Sequence, residues 1–181
     1  MDNNKTDRYD KRNRINRAFF QRDVLKVAPD LIGKRIVRIM PDGTMVSGII
    51  SETEAYKGSE DLACHASRGK TPRNKVMFEE GGLVYMYLIY GIYWMLNFVT
   101  GREGDPQAVL IRGLKEVYGP GRLTKQLQID ASFYGEDLAV SNRLWIEAGM
   151  EKPEINAAPR IGIDYAGDYW KNLPWRFFLK D

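Results

Sequence analysis

Residues 81–101, GGLVYMYLIYGIYWMLNFVTG, run for 21 positions without a charged side chain. A run of that length nearly matches the roughly 20 apolar residues of a membrane-spanning helix. The alternative is a core deep enough to receive it, and the composition favours the core. Four tyrosines and Trp94 are spread along the run, whereas a membrane would gather such rings at its two interfaces. Tyr90-Gly91 falls mid-run between β-branched and aromatic residues, the pattern of two strands joined by a tight turn. The run predicts a buried β-hairpin with Tyr90 protruding at its tip, and no membrane span.

The rest of the chain supplies partners for that hairpin. Lys34–Met40 and Thr44–Tyr56 predict strands around the turn Pro41-Asp42-Gly43, and Gln107–Leu114 predicts a third. Arg143–Glu147, Ile155–Ile163 and Trp175–Leu179 are further strand candidates. Residues 18–32 carry Val24, Leu25, Ala28, Leu31 and Ile32 at helical spacing, with Pro29 expected to divide the segment. Gly119–Ile129 reads as a helix with Pro120 near its start. Hairpins interrupted by a few short helices predict an α+β fold rather than a βαβ series.

A chain of 181 residues suits one domain, expected at 18–181 behind a basic, flexible arm at 1–17. Six basic and three acidic residues in that arm account for the whole net charge of +3, leaving 18–181 neutral. The arm lacks the apolar stretch of a secretory signal, and a lone cysteine suits a reducing compartment, so the cytoplasm is expected. One cysteine excludes an internal disulfide and cysteine-rich metal sites. One histidine excludes multi-histidine metal sites.

Three groups of residues could do chemistry. Glu52, Glu54 and Tyr56 alternate on one strand and share a face. Each carboxylate could pair with an arginine and only stabilise the sheet. Two carboxylates about 7 Å apart also fall within the range used in inverting glycoside hydrolysis. The stretch from His65 to Phe78 holds Arg68, Lys70, Arg73 and Lys75 with no acid, and Arg112, Lys115, Arg122 and Lys125 form a second basic group. Such loops either contact phosphates or are simply solvated. Tyr85 and Tyr87 alternate on one face of a strand, and a ring at a protruding tip such as Tyr90 is poorly placed for a core. Proteins that distort a duplex insert side chains of that kind between base steps, and flipped bases are held between aromatic faces.

ETEAY at 52–56, His65, TPRN at 71–74, Met77-Phe78, the YGxY at Tyr90–Tyr93, Asn97 and Arg112 occur in one order. Together they resemble the alkyladenine (3-methyladenine) DNA glycosylase family, the type without a helix-hairpin-helix motif. The likeness runs from Phe19 to Lys180 and takes in GPGRL at 119–123, PRIG at 159–162 and PWRF at 174–177. It implies a curved, mainly antiparallel sheet or open barrel like the C-terminal domain of formyltransferases. It further implies a monofunctional base-excision-repair enzyme that flips 3-methyladenine, 7-methylguanine, ethenoadenine or hypoxanthine from duplex DNA. The N-glycosidic bond would be hydrolysed to leave an abasic site, with no strand-cleaving lyase step.

By matching motif position, Glu54 would activate water and Arg112 would help to hold it. Tyr56, His65, Tyr87 and Asn97 would form the flipped-base pocket, with Asn97 rejecting normal guanine. Tyr90 would fill the gap in the duplex, while Lys70, Thr71, Arg73 and Arg122 would meet the DNA backbone. The resemblance implies no metal or other cofactor, a monomer, and damaged double-stranded DNA as partner. Glu79-Glu80, just before the hairpin, depart from the pattern, since an acidic pair there should weaken DNA binding. Cys64 stands beside His65 where alanine is usual. The rival readings are a non-catalytic nucleic-acid-binding module on the same scaffold and a nucleoside or sugar hydrolase using Glu52 and Glu54.

Overall fold

The computed structural model describes residues 13–180. Residues 1–12 of the expected arm lie outside it. Residues 13–17 belong to the folded body: the Ile15 N–H bonds Ile146 O at 2.9 Å, and Arg17 pairs with Asp137 and with Glu80. Two short helices follow, α1 (Arg17–Phe20) and α2 (Val24–Leu31). Asn16 caps α1 by accepting the Phe19 N–H, and Asp23 caps α2 by accepting the Leu25 N–H. The break in this segment therefore falls ahead of Asp23 and not at Pro29, which sits inside α2. A proline removes a single backbone donor, and α2 stops two residues later.

Strands β1 (Arg35–Ile39) and β2 (Met45–Lys57) pair antiparallel around the predicted turn, where Asp42 Oδ1 accepts the Thr44 N–H and Gly43 has φ +85°. The uncharged run forms β3 (Val84–Ile89) and β4 (Tyr93–Thr100), the hairpin read from sequence. After it come β5 (Gln107–Leu114), the short β6 (Val117–Tyr118) and helix α3 (Pro120–Gln126). The chain closes with β7 (Leu144–Glu147), β8 (Ile155–Ala158), α4 (Asp168–Asn172) and β9 (Arg176–Leu179). β8 is shorter than the predicted Ile155–Ile163, because Pro159 ends it and Gly162 turns the chain at φ +76°.

The fold is α+β, and every strand pairing in its nine-stranded sheet is antiparallel. The main path runs β3-β4-β5-β2-β1-β7, with β6 on β5 and β9 bridging β2 and β8. Strand β2 is the organiser. One edge pairs with β5, while the other meets β1 in its first half and β9 in its second, on either side of an irregularity between Ile50 and Thr53.

The hairpin has no charge because its base is buried on both faces. Val84, Met86, Leu96 and Phe98 enter the main core with the apolar side of α2, and Tyr85 and Val99 enter a second cluster with Cys64 and Met77. Each fully buried aliphatic side chain contributes about 1.5–3 kcal/mol. Two buried polar bonds fix α2 to the sheet: Thr53 Oγ1 donates to Ala28 O at 2.9 Å, and the Val24 N–H donates to Gln107 Oε1 at 2.7 Å. Among the described residues no helix is long and apolar enough to cross a membrane.

Candidate active site

Glu54 stands in the second half of β2, with β5 on one side and β9 on the other. Its side chain is fully buried, yet each carboxylate oxygen has a donor. The Ile161 N–H reaches Oε1 and the Tyr56 hydroxyl reaches Oε2, each at 2.8 Å. Arg112 Nη1 lies 3.5 Å from Oε1. Burial pushes the carboxyl above its ordinary pKa, opposed by the charge of Arg112 and by the two hydrogen bonds. Glu52, on the same face, accepts from Arg112 Nε at 3.2 Å and from Arg176 Nη1 at 3.0 Å. Arg112 thus spans both carboxylates. A carboxylate oriented this way and shielded from bulk water can take a proton from a single bound water molecule.

Aromatic rings stand beside Glu54. The His65 and Tyr87 rings meet edge-on with centroids 4.5 Å apart, and Tyr85 tilts against Tyr87 at 5.5 Å. His65 opens onto the cavity with Nδ1 2.8 Å from the Tyr85 hydroxyl. The residue stays exposed at the cavity mouth. Partial desolvation of its ring, and then the charge of Arg73, push its pKa down to about 4. The imidazole is therefore neutral at physiological pH. Asn97 is buried on β4, its amide donating to Tyr85 O and Met95 O. Cys64 packs beneath this wall with its thiol pushed up to about 12 by burial.

The rim is built by the hairpin tip and the basic loop. Tyr90 is 84% exposed and holds a left-handed φ of +54°, followed by Gly91 at +68°. A non-glycine residue there costs about 1–2 kcal/mol. In the TPRN segment Asn74 is a clasp. Its Oδ1 accepts the Thr71 N–H at 2.7 Å, and its Nδ2 donates to His65 O and Gly69 O. Arg73 lies over the Tyr87 ring at 5.4 Å. Arg122 stands at the start of α3, where any side chain at Gly121 would come within 2.8 Å of the Tyr93 ring. Lys70 turns away, pairing with Glu79 at 3.6 Å. Glu80 pairs with Arg17, so both members of the acidic pair have basic partners.

These groups line one cavity of about 1010 Å³, which takes in every sequence-predicted site residue except Lys70. Among the described residues no three His, Cys, Asp or Glu side chains gather as a metal site would require.

A sequence profile of the methylpurine-DNA glycosylase family matches residues 18–119 and 115–181. The chain belongs to the methylpurine-DNA glycosylase family. It is similar to a Methanocella arvoryzae protein at 43% identity, over 91% of this chain and 92% of the relative. A Psychrobacter cryohalolentis protein is 42% identical over 83% and 85%, and one from Desulfitobacterium hafniense is 41% identical over 93% and 96%. Each carries the name "Putative 3-methyladenine DNA glycosylase".

In this family member, two supports of the site escape a reading of the sequence. Arg160 and Asp61, both fully buried, form a two-pronged ion pair at 2.5 and 2.9 Å. Arg160 also lies over the rings of Tyr56 and Trp175, at 4.9 and 5.0 Å. The other support is the Ile161 N–H on Glu54, a main-chain group that no side-chain pattern reveals.

Proposed function

We propose that this family member excises alkylated or deaminated purines from duplex DNA: 3-methyladenine, 7-methylguanine, ethenoadenine and hypoxanthine. The observation that carries the reading is the buried Glu54 carboxylate, held by Ile161, Tyr56 and Arg112 at the wall of an aromatic-lined cavity. Glu54 takes a proton from water as the water oxygen bonds to C1′. The C1′–N bond breaks, and its electron pair leaves with the purine. The sugar gains positive charge as the bond stretches, and the carboxylate stabilises it. An abasic site remains, and the strand is not cut.

The surroundings support this chemistry. A purine methylated at ring nitrogen, such as 3-methyladenine or 7-methylguanine, is cationic and leaves as a neutral base. The electron-rich faces of Tyr56 and Tyr87 therefore attract it, and the neutral His65 does not repel it. The neutral lesions ethenoadenine and hypoxanthine must also take up a proton as they leave. Asn97, its amide tied to backbone carbonyls, crowds the exocyclic amine of guanine. Tyr90 fills the space vacated by the flipped base. Thr71, Arg73 and Arg122 on the rim meet backbone phosphates, and Lys70 adds charge behind them. No cofactor takes part. A single domain acts as a monomer in the cytoplasm, at the nucleoid in a bacterium. The kinship of the antiparallel sheet with the formyltransferase C-terminal domain belongs to the same proposal.

A panel of duplex oligonucleotides, each with one lesion, tests the reading with free nucleosides as controls. Release of the damaged base from duplex alone is expected. Glu54→Gln should lower that rate about 10²-fold or more while DNA binding persists. A Gln variant that cuts like wild type would end the assigned mechanism. Activity on free nucleosides would favour a sugar hydrolase, and binding without release a non-catalytic module.

A further inference from the structure

Two guanidiniums converge on one atom outside the reacting set. Oε1 of Glu52 lies 3.2 Å from Arg112 Nε and 3.0 Å from Arg176 Nη1. The three residues come from adjacent strands: Glu52 from β2, Arg112 from β5 and Arg176 from β9. Two like charges so close repel, and the Glu52 carboxylate offsets that repulsion. The side chains of Arg112, Glu52 and Arg176 are only 15%, 20% and 22% exposed, so water screens the cluster weakly.

Arg112 turns its other edge toward the reacting carboxylate, with Nη1 3.5 Å from Glu54 Oε1. A guanidinium is a rigid planar fork, so fixing Nε at Glu52 fixes the direction of Nη1. The strand irregularity between Ile50 and Thr53 occurs at Glu52 itself. Irregularities of this kind re-aim side chains next to active sites. Glu52 has one oxygen engaged by two guanidiniums, an arrangement suited to holding other groups.

We propose that Glu52 is a positioning residue: backed by Arg176, it sets the angle at which Arg112 meets Glu54 and so orients the carboxylate that activates water. The inference rests on the glycosylase reading above. It assigns the two carboxylates of ETEAY different duties. Glu54 exchanges the proton and Glu52 holds the arginine that steadies Glu54.

Single-turnover excision from a 3-methyladenine or hypoxanthine duplex tests it, alongside equilibrium binding of the same duplex. Glu52→Gln should slow excision tenfold or more, with the dissociation constant within about threefold of wild type. The double variant Glu52→Gln/Arg112→Gln should be no slower than Arg112→Gln alone, since both changes remove one interaction. A role confined to stability would leave the single-turnover rate of folded protein unchanged. Arg176→Met leaves the Glu52–Arg112 contact in place and should slow excision about threefold. It provides the test if Glu52→Gln does not fold. A wild-type rate in either variant, a loss appearing only in binding, or losses that multiply in the double variant would overturn the proposal. If wild type itself released no base from any lesion, the glycosylase reading would fail. An active wild type beside an unimpaired Glu52→Gln would sink this inference alone.

Discussion

Tyr56 donates its hydroxyl proton to Glu54 Oε2 across 2.8 Å. The two residues stand two positions apart on β2, where alternation puts them on one face. Burial, followed by the nearby charge of Glu54, pushes the phenol well above its ordinary pKa, so it remains a donor at neutral pH. A donor to a carboxylate favours its charged form. Tyr56 therefore opposes the burial that pushes Glu54 up.

Tyr56→Phe keeps the ring and removes that donor. Glu54 then protonates more readily, its pKa rises further, and the acidic limb of the single-turnover pH–rate profile moves to higher pH. A hydrogen bond to a charged group contributes about 1.5–3 kcal/mol, so a displacement of about one pH unit or more is expected. A limb that stays in place, or moves to lower pH, would show that the hydroxyl does not govern the charge of Glu54.

At the hairpin tip, stability and activity should separate. The Tyr90 ring is 84% exposed and its φ is +54°. It gives the core little, while its backbone is strained by about 1–2 kcal/mol. Asparagine tolerates that conformation better. Tyr90→Asn should melt at or above the wild-type temperature and still lose excision from duplex DNA. Excision from a single strand should suffer less, since no gap needs filling there. Equal losses on both substrates would remove the wedge role.

His65 gives the stability a pH dependence whose sign follows from its depressed pKa. In the unfolded chain the imidazole takes a proton near 6.5, and in the folded protein only near 4. Between these values the unfolded state binds more protons, so the contribution of His65 to stability is intact above about pH 6.5 and is lost as pH falls toward 4. His65→Gln should lose less unfolding free energy than wild type between pH 7 and pH 4.5 in urea titrations. Parallel losses in the two proteins would contradict the neutral imidazole.

What the sequence disclosed depended on the range of each interaction. Glu54, Tyr56, His65, Asn97 and Arg112 are among the ordered residues and short motifs that carried the family likeness. The hairpin was readable because its turn interrupts an uncharged run. Pro29 misled, since the capping carboxylate of Asp23 sets where α2 begins and one lost donor does not end it. Lys70 stands in a basic loop, and nothing local shows that Glu79 draws it away from the cavity. Arg17 looked like part of a loose arm, because its partners Glu80 and Asp137 are distant in sequence. The Ile161 N–H reaches Glu54 across 107 positions, and no spacing rule anticipates that.

Arg160 and Asp61 show the same limit and yield the most severe prediction. They lie 99 positions apart, neither is exposed, and the two terminal guanidinium nitrogens engage one carboxylate oxygen each. Arg160 also donates to Ala55 O at 2.9 Å and lies over the Tyr56 ring, and the next residue is Ile161, whose N–H holds Glu54. One side chain therefore joins the loop after β8 to the strand that carries the reacting carboxylate. Arg160→Met would leave Asp61 charged and buried without its partner, and breaking a buried pair from one side costs about 3–5 kcal/mol. Adding Asp61→Asn removes the stranded charge, so the double variant should recover part of that loss. Denaturant unfolding of both single variants and the double variant measures this coupling directly. Excision by Arg160→Met, assayed at a temperature where it stays folded, should still be slow, because the Ile161 amide loses its anchor. Stability within about 1 kcal/mol of wild type, the scale of an exposed pair, would refute the buried coupling. So would strictly additive losses in the double variant.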